Sequence, residues 1–336
     1  MPPPRALRTH AFEVQDDGAP LVAREREVAA PAAGQLTVRV RASSLNARDL
    51  PITTGRYSRP VPPGRVPLSD GAGVVEAVGD GVTRFRTGDR VLSSFHPNWI
   101  YGPLPGWNNL YGLQLDGWLT ERITVSEQNV VAVPDHLSFE EAATLPCAAL
   151  TAWSALAGTG AGHTVLLQGS GGVSVFALQF ARLFGAQVIV TTSSAEKGAR
   201  LRELGASTVL DRTRFPDWGK RVRELTDDRG VDLVVEIGGA GTIAQSLTAL
   251  AYGGRISLVG NLASGEGMDL TRFLQRGATL RTITVGNRED LEQLARTIGL
   301  HRLRPVIDRV FPFEQAPLAL EYFARRSRVG KVVISH

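Results

Sequence analysis

At 336 residues the chain is too long for one small domain and suits two cores joined by a short junction. Hydrophobic residues at 43% and charged residues at 21% exclude a disordered or fibrous protein. The 37 basic and 33 acidic residues leave a net charge of only +4, with no basic tail, so a nucleic-acid partner is not expected.

Up to about residue 134 the sequence reads as short strands, LTVRVRASS, GAGVVEAVG, DRVLSS and ERITVS, separated by turn signals such as Gly79-Asp80-Gly81 and Thr87-Gly88-Asp89. This is a β-rich, barrel-like region. Ser138 followed by Glu141 forms a capping box ahead of Ala142, Leu145, Ala149, Trp153 and Leu156 at helical spacing, which predicts a helix starting there. From Thr164 strands and helices alternate. TVLLQ precedes a helix over VSVFALQFARLFG, QVIVTT one over EKGARLRELG, STVLD one over WGKRVRELTDD, and VDLVVEI one over IAQSLTALAY, before the strand RISLVG. Such alternation, with continuously apolar strands, predicts a doubly wound parallel sheet. The last ~50 residues return to a mixed pattern: a helix over REDLEQLARTIG, a strand near RPVIDRVF, a helix over EQAPLALEYFARR and the strand KVVIS. These are expected to pack back on the first region.

Cys147 is the single cysteine, so no internal disulfide forms, and no Cys or His cluster has structural-zinc spacing. MPPPRALRTH lacks a signal-peptide run, and no stretch nears the ~20 apolar residues of a membrane span. A cytoplasmic protein without a membrane partner is expected.

Directly after TVLLQ comes Gly169-Ser170-Gly171-Gly172-Val173-Ser174, running into an apolar helix. Glycine here lets the backbone turn tightly and approach a pyrophosphate, while the helix start offers N–H groups and partial positive charge. Ser174 stands where the fingerprint usually has Gly or Ala, and is small enough to fit. The second strand ends in Thr191-Thr192-Ser193-Ser194, without the acid that would bind the ribose hydroxyls of NAD(H). Ser193, Lys197 and Arg212 suit a 2′-phosphate instead, which favours NADP(H) and leaves NAD(H) possible. The alternatives are that Lys197, Arg200 and Arg212 are solvated surface residues and that Glu196 binds the ribose. Gly238, Val259, Gly260 and Asn261 follow the fourth and fifth strands of this sheet, where the nicotinamide half is expected, or else form ordinary strand-end turns.

The order of parts, VRASSLNARDL, GAGVVEAVGDGVTRFRTGDRV, LPCAALTAW, GSGGVS and RVGKVVI, resembles the medium-chain dehydrogenase/reductase family over nearly the whole chain. Within that family it is similar to the zinc-independent quinone oxidoreductases. The resemblance implies a GroES-like catalytic domain over 1–148, a Rossmann cofactor domain over 149–287 and a return segment of the catalytic domain over 288–336. Where zinc alcohol dehydrogenases of the family carry a Cys, a His-Glu pair and a second Cys, this chain has Asn46, Ser69-Asp70 and Cys147, and the four-Cys lobe is missing. One thiol without a His partner does not make a three-ligand site, so no metal is expected.

Without zinc an unactivated alcohol becomes a poor substrate, and the resemblance implies hydride delivery from NADPH to a quinone or an α,β-unsaturated carbonyl. It also implies pocket roles for Asn46 and Tyr57, whose amide and hydroxyl can donate to a substrate oxygen, and for Thr151 beside the nicotinamide. Asn46 could instead cap a strand end. Arg48 stands in place of a proton-relay hydroxyl, and Asp49 reads as structural. Trp99, Trp107, Trp118, Tyr101 and Tyr111 crowd residues 95–118, together with His96, and form either an aromatic wall for a small planar hydrophobic substrate or a packed loop. Metal-free alcohol or aldehyde turnover and a non-catalytic, crystallin-like or sensor role remain the competing readings. Family likeness implies a homodimer or higher homo-oligomer, with LRTITVG pairing across a two-fold axis.

Overall fold

In Gln35–Ser44 Leu36, Val38 and Val40 turn into a core while Arg39 faces solvent, the period-two pattern of a half-buried strand. This strand organises the first part of the protein, seen in a computed structural model that describes residues 7–263, 265 and 269–336. The chain runs through β1 (Leu7–Glu13), β2 (Val22–Val28), β3 (Gln35–Ser44), α1 (Asp49–Thr53), β4 (Asp70–Val78), β5 (Arg90–Ser93), β6 (Arg122–Ser126) and β7 (Val130–Ala132). Two short helices follow, α2 (Phe139–Ala142) and α3 (Leu150–Ala155). Next come β8 (Thr164–Gln168), α4 (Gly172–Leu183), β9 (Gln187–Thr192), α5 (Ala195–Glu203), β10 (Thr208–Asp211), α6 (Trp218–Glu224), β11 (Val231–Glu236) and α7 (Ile243–Ala249). β12 (Leu250–Leu258), α8 (Leu270–Arg276) and β13 (Thr279–Thr282) complete this series, and α9 (Arg288–His301), β14 (Ile307–Pro312), α10 (Ala316–Ala324) and β15 (Lys331–Ser335) end the chain.

Two compact units result, one of residues 1–150 and 286–336, the other of 151–285. In the first, strands lie in the order β14-β15-β3-β4-β5-β7, with β6 also paired to β3 and β1-β2 forming a separate antiparallel pair. The terminal strand therefore packs back on the early sheet: β15 runs antiparallel to β3, with Val333 opposite Ser44. Leu36, Val38, Val75, Val91 and Trp118 fill the core between them. Gly71 is required there, since a Cβ would meet the Trp118 ring at 2.4 Å.

The second unit has one six-stranded sheet, β10-β9-β8-β11-β12-β13, parallel throughout. Its strands are apolar because helices need both faces; Leu166, Ile189, Val234 and Ile256 pack with Trp218, Val222 and Leu247 from the helices α6 and α7. This is the mixed α/β architecture expected, a GroES-like domain with a Rossmann sheet.

Two elements differ from the sequence pattern. The capping box forms, with Glu141 N–H donating to Ser138 Oγ at 3.2 Å and Ser138 N–H to Glu141 Oε2 at 2.8 Å. The helix then breaks into a π-helical turn over Leu145–Ala149, where Pro146 offers no N–H and the N–H of Cys147 goes to Asp70 Oδ2 at 3.2 Å. Likewise the helix over IAQSLTALAY stops at Ala249, and Leu250 begins β12 opposite Val231. Parallel pairing of a buried leucine overrides local helix propensity there.

His336 packs against Phe313, its Nε2 2.8 Å from Ser43 Oγ, which itself donates to Trp118 O at 2.7 Å. The serine hydrogen is committed, so Nε2 carries the imidazole proton. Burial pushes the imidazole down from 6.5 to about 3. Its folded pKa lies below its unfolded one, so its contribution is present above pH 6.5 and is lost as pH falls toward 3. His336→Gln is expected to remove up to about 1.4 kcal/mol per pH unit of acid-side slope, measured by urea unfolding at pH 7 and 5. Equal slopes in both proteins would contradict this.

Candidate active site

The turn after β8 borders open space at Gly169 and Gly171. Gly169 has φ +74°, a left-handed conformation that few side chains tolerate, and its N–H is tied to Thr191 O at 2.7 Å. Gly171 precedes α4 as its cap, with no side chain satisfying the helix start. A Cβ at either glycine would meet nothing within 4 Å, so the backbone at Gly169 and Gly171 borders open space. The first N–H groups of a helix have no acceptor within it and carry partial positive charge. Ser174 does not obstruct this cradle: it is buried, and its Oγ donates to Gln168 O at 2.6 Å. Ser170 is also buried. A pyrophosphate fits these residues.

At the end of β9, Thr191 and Thr192 are buried and Ser193 is exposed, while Ser194 caps α5 by accepting from Lys197 N–H at 3.4 Å. β10 lies alongside with Asp211 opposite Thr192, and Arg212 N–H donates to Thr192 O at 2.8 Å. Arg212 therefore leaves its strand next to Ser193, with Lys197 in the first turn beyond. The neighbouring Asp211 carboxylate accepts from Thr213 Oγ1 at 2.7 Å and Thr213 N–H at 2.9 Å, bonds that hold its carboxyl below the usual range. Glu196 is exposed on α5.

The glycines after β11 and β12 behave differently. A Cβ on Gly238 would strike Thr242 at 2.2 Å, and one on Gly260 would strike Ile237 O at 2.8 Å. Their close approach is to their own chain. Buried Glu236 knots this region: its carboxylate accepts from Gln168 Nε2 at 2.8 Å, Gly239 N–H at 2.9 Å and the Ser246 hydroxyl. Val259 N–H donates to Glu236 O at 2.8 Å, and Asn261 Oδ1 accepts from Ala240 N–H at 3.0 Å. Thr151 is buried in α3, in the same unit as the cradle.

In the barrel unit Asn46 follows β3 and is 7% exposed. Its main chain pairs with Asp49 at the start of α1, Asn46 N–H donating to Asp49 Oδ2 at 2.7 Å and Asp49 N–H to Asn46 O at 3.0 Å. Its side-chain Oδ1 accepts from Lys331 Nζ at 2.6 Å, and the same ammonium donates to Leu45 O at 2.6 Å and lies 4.0 Å from Asp70 Oδ2. Asn46 Nδ2 is buried without a partner among the described residues. Burial pulls the Lys331 ammonium below its ordinary pKa, opposed chiefly by Asp70. The same burial pushes Asp49 up to about 6 against the pull of Arg48, and raises the Cys147 thiol. So Asn46 and Asp70 flank a lysine, and Cys147 N–H bonds to that Asp70 carboxylate. Among the described residues no group of three His, Cys, Asp or Glu side chains is placed to hold a metal ion.

Lys331 goes unnamed in the sequence pattern, and Arg48 appears there only in place of a proton-relay hydroxyl. Arg48 donates to the Tyr111 carbonyl and lies over the Phe95 ring at 4.6 Å, so it anchors the aromatic segment. Tyr57 is half-buried in the loop after α1. The aromatic stretch divides: Trp118 and Tyr111 belong to the barrel core, Tyr101 is exposed, and Trp99 and Trp107 pack edge-on to His96 at 5.2 and 5.5 Å.

Comparison with known proteins identifies the family. Residues 32–135 match the family model of the alcohol dehydrogenase GroES-like domain, and residues 172–299 that of the zinc-binding dehydrogenases. A zinc-type alcohol dehydrogenase-like protein of Schizosaccharomyces pombe is 40% identical over 90% of both chains. A quinone oxidoreductase of Pseudomonas aeruginosa is 33% identical over 93% of this chain and 94% of its own. A solved structure from Sinorhizobium meliloti, described as an alcohol dehydrogenase, superposes with a TM-score of 0.92 at 41% identity, covering 98% of this chain and 99% of the other. The chain belongs to the medium-chain dehydrogenase/reductase family, as an NAD(P)H-dependent oxidoreductase.

Gly171 has φ −73°, which valine tolerates, and open space before it. Gly171→Val is expected to cost about 1 kcal/mol of stability, the scale of a poorer helix cap, while weakening nicotinamide dinucleotide affinity at least about 10-fold, by urea unfolding and fluorescence titration. Unchanged affinity would place the pyrophosphate elsewhere.

Proposed function

We propose that this enzyme is a zinc-independent, NADPH-preferring reductase of quinones or α,β-unsaturated carbonyls. The observation that carries the reading is Lys331 Nζ, 2.6 Å from Asn46 Oδ1 and 4.0 Å from Asp70 Oδ2, two positions where the resemblance implies ligands in the zinc relatives. A resident ammonium repels a metal ion and leaves the chain to handle substrate charge with hydrogen bonds.

The uncapped start of α4, with Gly169, Ser170, Gly171, Gly172 and Val173, would hold the pyrophosphate; Ser193, Lys197 and Arg212 would take the 2′-phosphate, which an acid at Ser193 would have repelled. Gly238, Val259, Gly260 and Asn261 would border the nicotinamide half, with Thr151 against the ring. When bound, NADPH supplies a hydride with its electron pair to an acceptor carbon and leaves as NADP⁺, while a solvent proton completes the reduced product. For an enone the π pair moves toward the carbonyl, so negative charge grows on oxygen. Asn46 Nδ2 donates to that oxygen, and the Tyr57 hydroxyl is the second donor. The quinone oxidoreductase relative supports this acceptor class; the alcohol dehydrogenase-like names support alcohol or aldehyde turnover as the competing one. We further propose a cytoplasmic homo-oligomer, joined at β13, the edge strand of its sheet.

Purified protein mixed with NADPH and a panel of quinones and enones is expected to oxidise NADPH above background with at least one class. No oxidation across the panel removes the proposal, and chelator-insensitive reduction of NADP⁺ by alcohols would transfer it to the competing reading. Lys197→Ala is expected to raise the Kd of NADPH about 10-fold, the scale of one charge-assisted hydrogen bond, and that of NADH less than about 2-fold. Equal losses for both cofactors would refute the phosphate assignment.

A further inference from the structure

An asparagine side chain can present oxygen or nitrogen on the same side, because the two ends of its amide have nearly the same shape. Facing an ammonium, only the oxygen end is tolerated. Lys331 Nζ meets Asn46 Oδ1 at 2.6 Å and is itself held by Leu45 O at 2.6 Å. These contacts span more than 280 positions in sequence and follow from strand pairing: β15 lies against β3, and Leu45 N–H donates to Val332 O at 3.0 Å. Asp70 keeps the cation charge-compensated, its Oδ2 4.0 Å away and bonded to Cys147 N–H at 3.2 Å, its Oδ1 accepting from Ser69 Oγ at 2.7 Å. Main-chain bonds to Asp49 fix the Asn46 backbone from the other side.

We propose that Lys331 is a positioning residue that fixes the Asn46 amide with Nδ2 turned toward the substrate oxygen; this rests on the reductase reading above. Two consequences follow. Asn46 Nδ2 is buried and lacks a partner among the described residues, so it is a donor waiting for an acceptor that the protein does not supply. The cation on Oδ1 also draws electron density from the nitrogen, which strengthens its N–H as a donor to developing negative charge. Lys331 acts through Asn46 and need not touch the substrate.

The test is a double-mutant cycle of Lys331→Met and Asn46→Ala in the full-length enzyme. Lys331→Met/Asp70→Asn serves in place of Lys331→Met if the unpaired carboxylate prevents folding. Lys331→Met is expected to lower kcat about 10-fold or more, with acceptor KM and NADPH affinity within about 2-fold, and to add less than about 2-fold in the Asn46→Ala background. Multiplying losses, or no loss, would overturn the proposal. Independently of turnover, the Asn46 side-chain amide resonance, identified by its absence from Asn46→Ala, should shift when Lys331 is replaced. An unmoved resonance overturns the clamp even in an active enzyme. If the wild type oxidises no NADPH but the resonance moves, the clamp stands and the reductase reading falls.

Discussion

A lysine ammonium at 3% exposure has to find acceptors in place of water, and that requirement organises the catalytic unit. Lys331 finds Leu45 O, Asn46 Oδ1 and the nearby charge of Asp70. Those three acceptors sit on or beside β3 and β4, so the last strand of the chain is chemically committed to two of the earliest. Asp70 also takes the Cys147 N–H, which coincides with the π turn after α2. One buried charge thus links the return segment, the barrel wall and the irregular helix. Removing either partner of a buried pair typically costs about 3–5 kcal/mol, because the survivor is left uncompensated. A change at any of these positions should therefore be felt as both a folding and a site defect.

The cofactor unit solves a different problem with the same residue type. Gly169 and Gly171 open onto empty space, whereas Gly238, Gly239 and Gly260 are pressed against Thr242, Asn261 and Ile237. The first pair keeps room for something from outside; the second group lets the strand ends close on themselves around Glu236. That contrast separates an open turn from a packed one, which the glycine pattern does not, since both groups read alike in the sequence. The buried carboxylate of Glu236 is spent on Gln168, Gly239 and Ser246 and so fixes the ends of β8 and β11 relative to each other.

Much of the architecture was legible because its signals are local. The strand, glycine turn and helix from Thr164 to Leu183 are contiguous, and the capping box at Ser138 needs only four residues to declare itself. The helix boundaries at Ala142 and Ala249 were not, since a distant carboxylate and a neighbouring strand decide them. Trp118 and Tyr111 sit in an aromatic-rich stretch that suits a ligand wall equally well, and only the pairing of β3, β4 and β6 shows them to be core. Lys331 lies in the motif RVGKVVI, where a lysine between a glycine and an apolar strand is a faint signal. Its partner Asn46 is 285 positions away, and no window of sequence joins them.

The proposed zinc-independence rests on Lys331 Nζ lying 2.6 Å from Asn46 Oδ1 and 4.0 Å from Asp70 Oδ2. Zinc content per chain, measured by plasma emission on protein purified without chelator from zinc-supplemented cells, tests this most directly. The expected result is far less than one zinc per chain; one tightly held zinc that disappears on Cys147→Ser would contradict it.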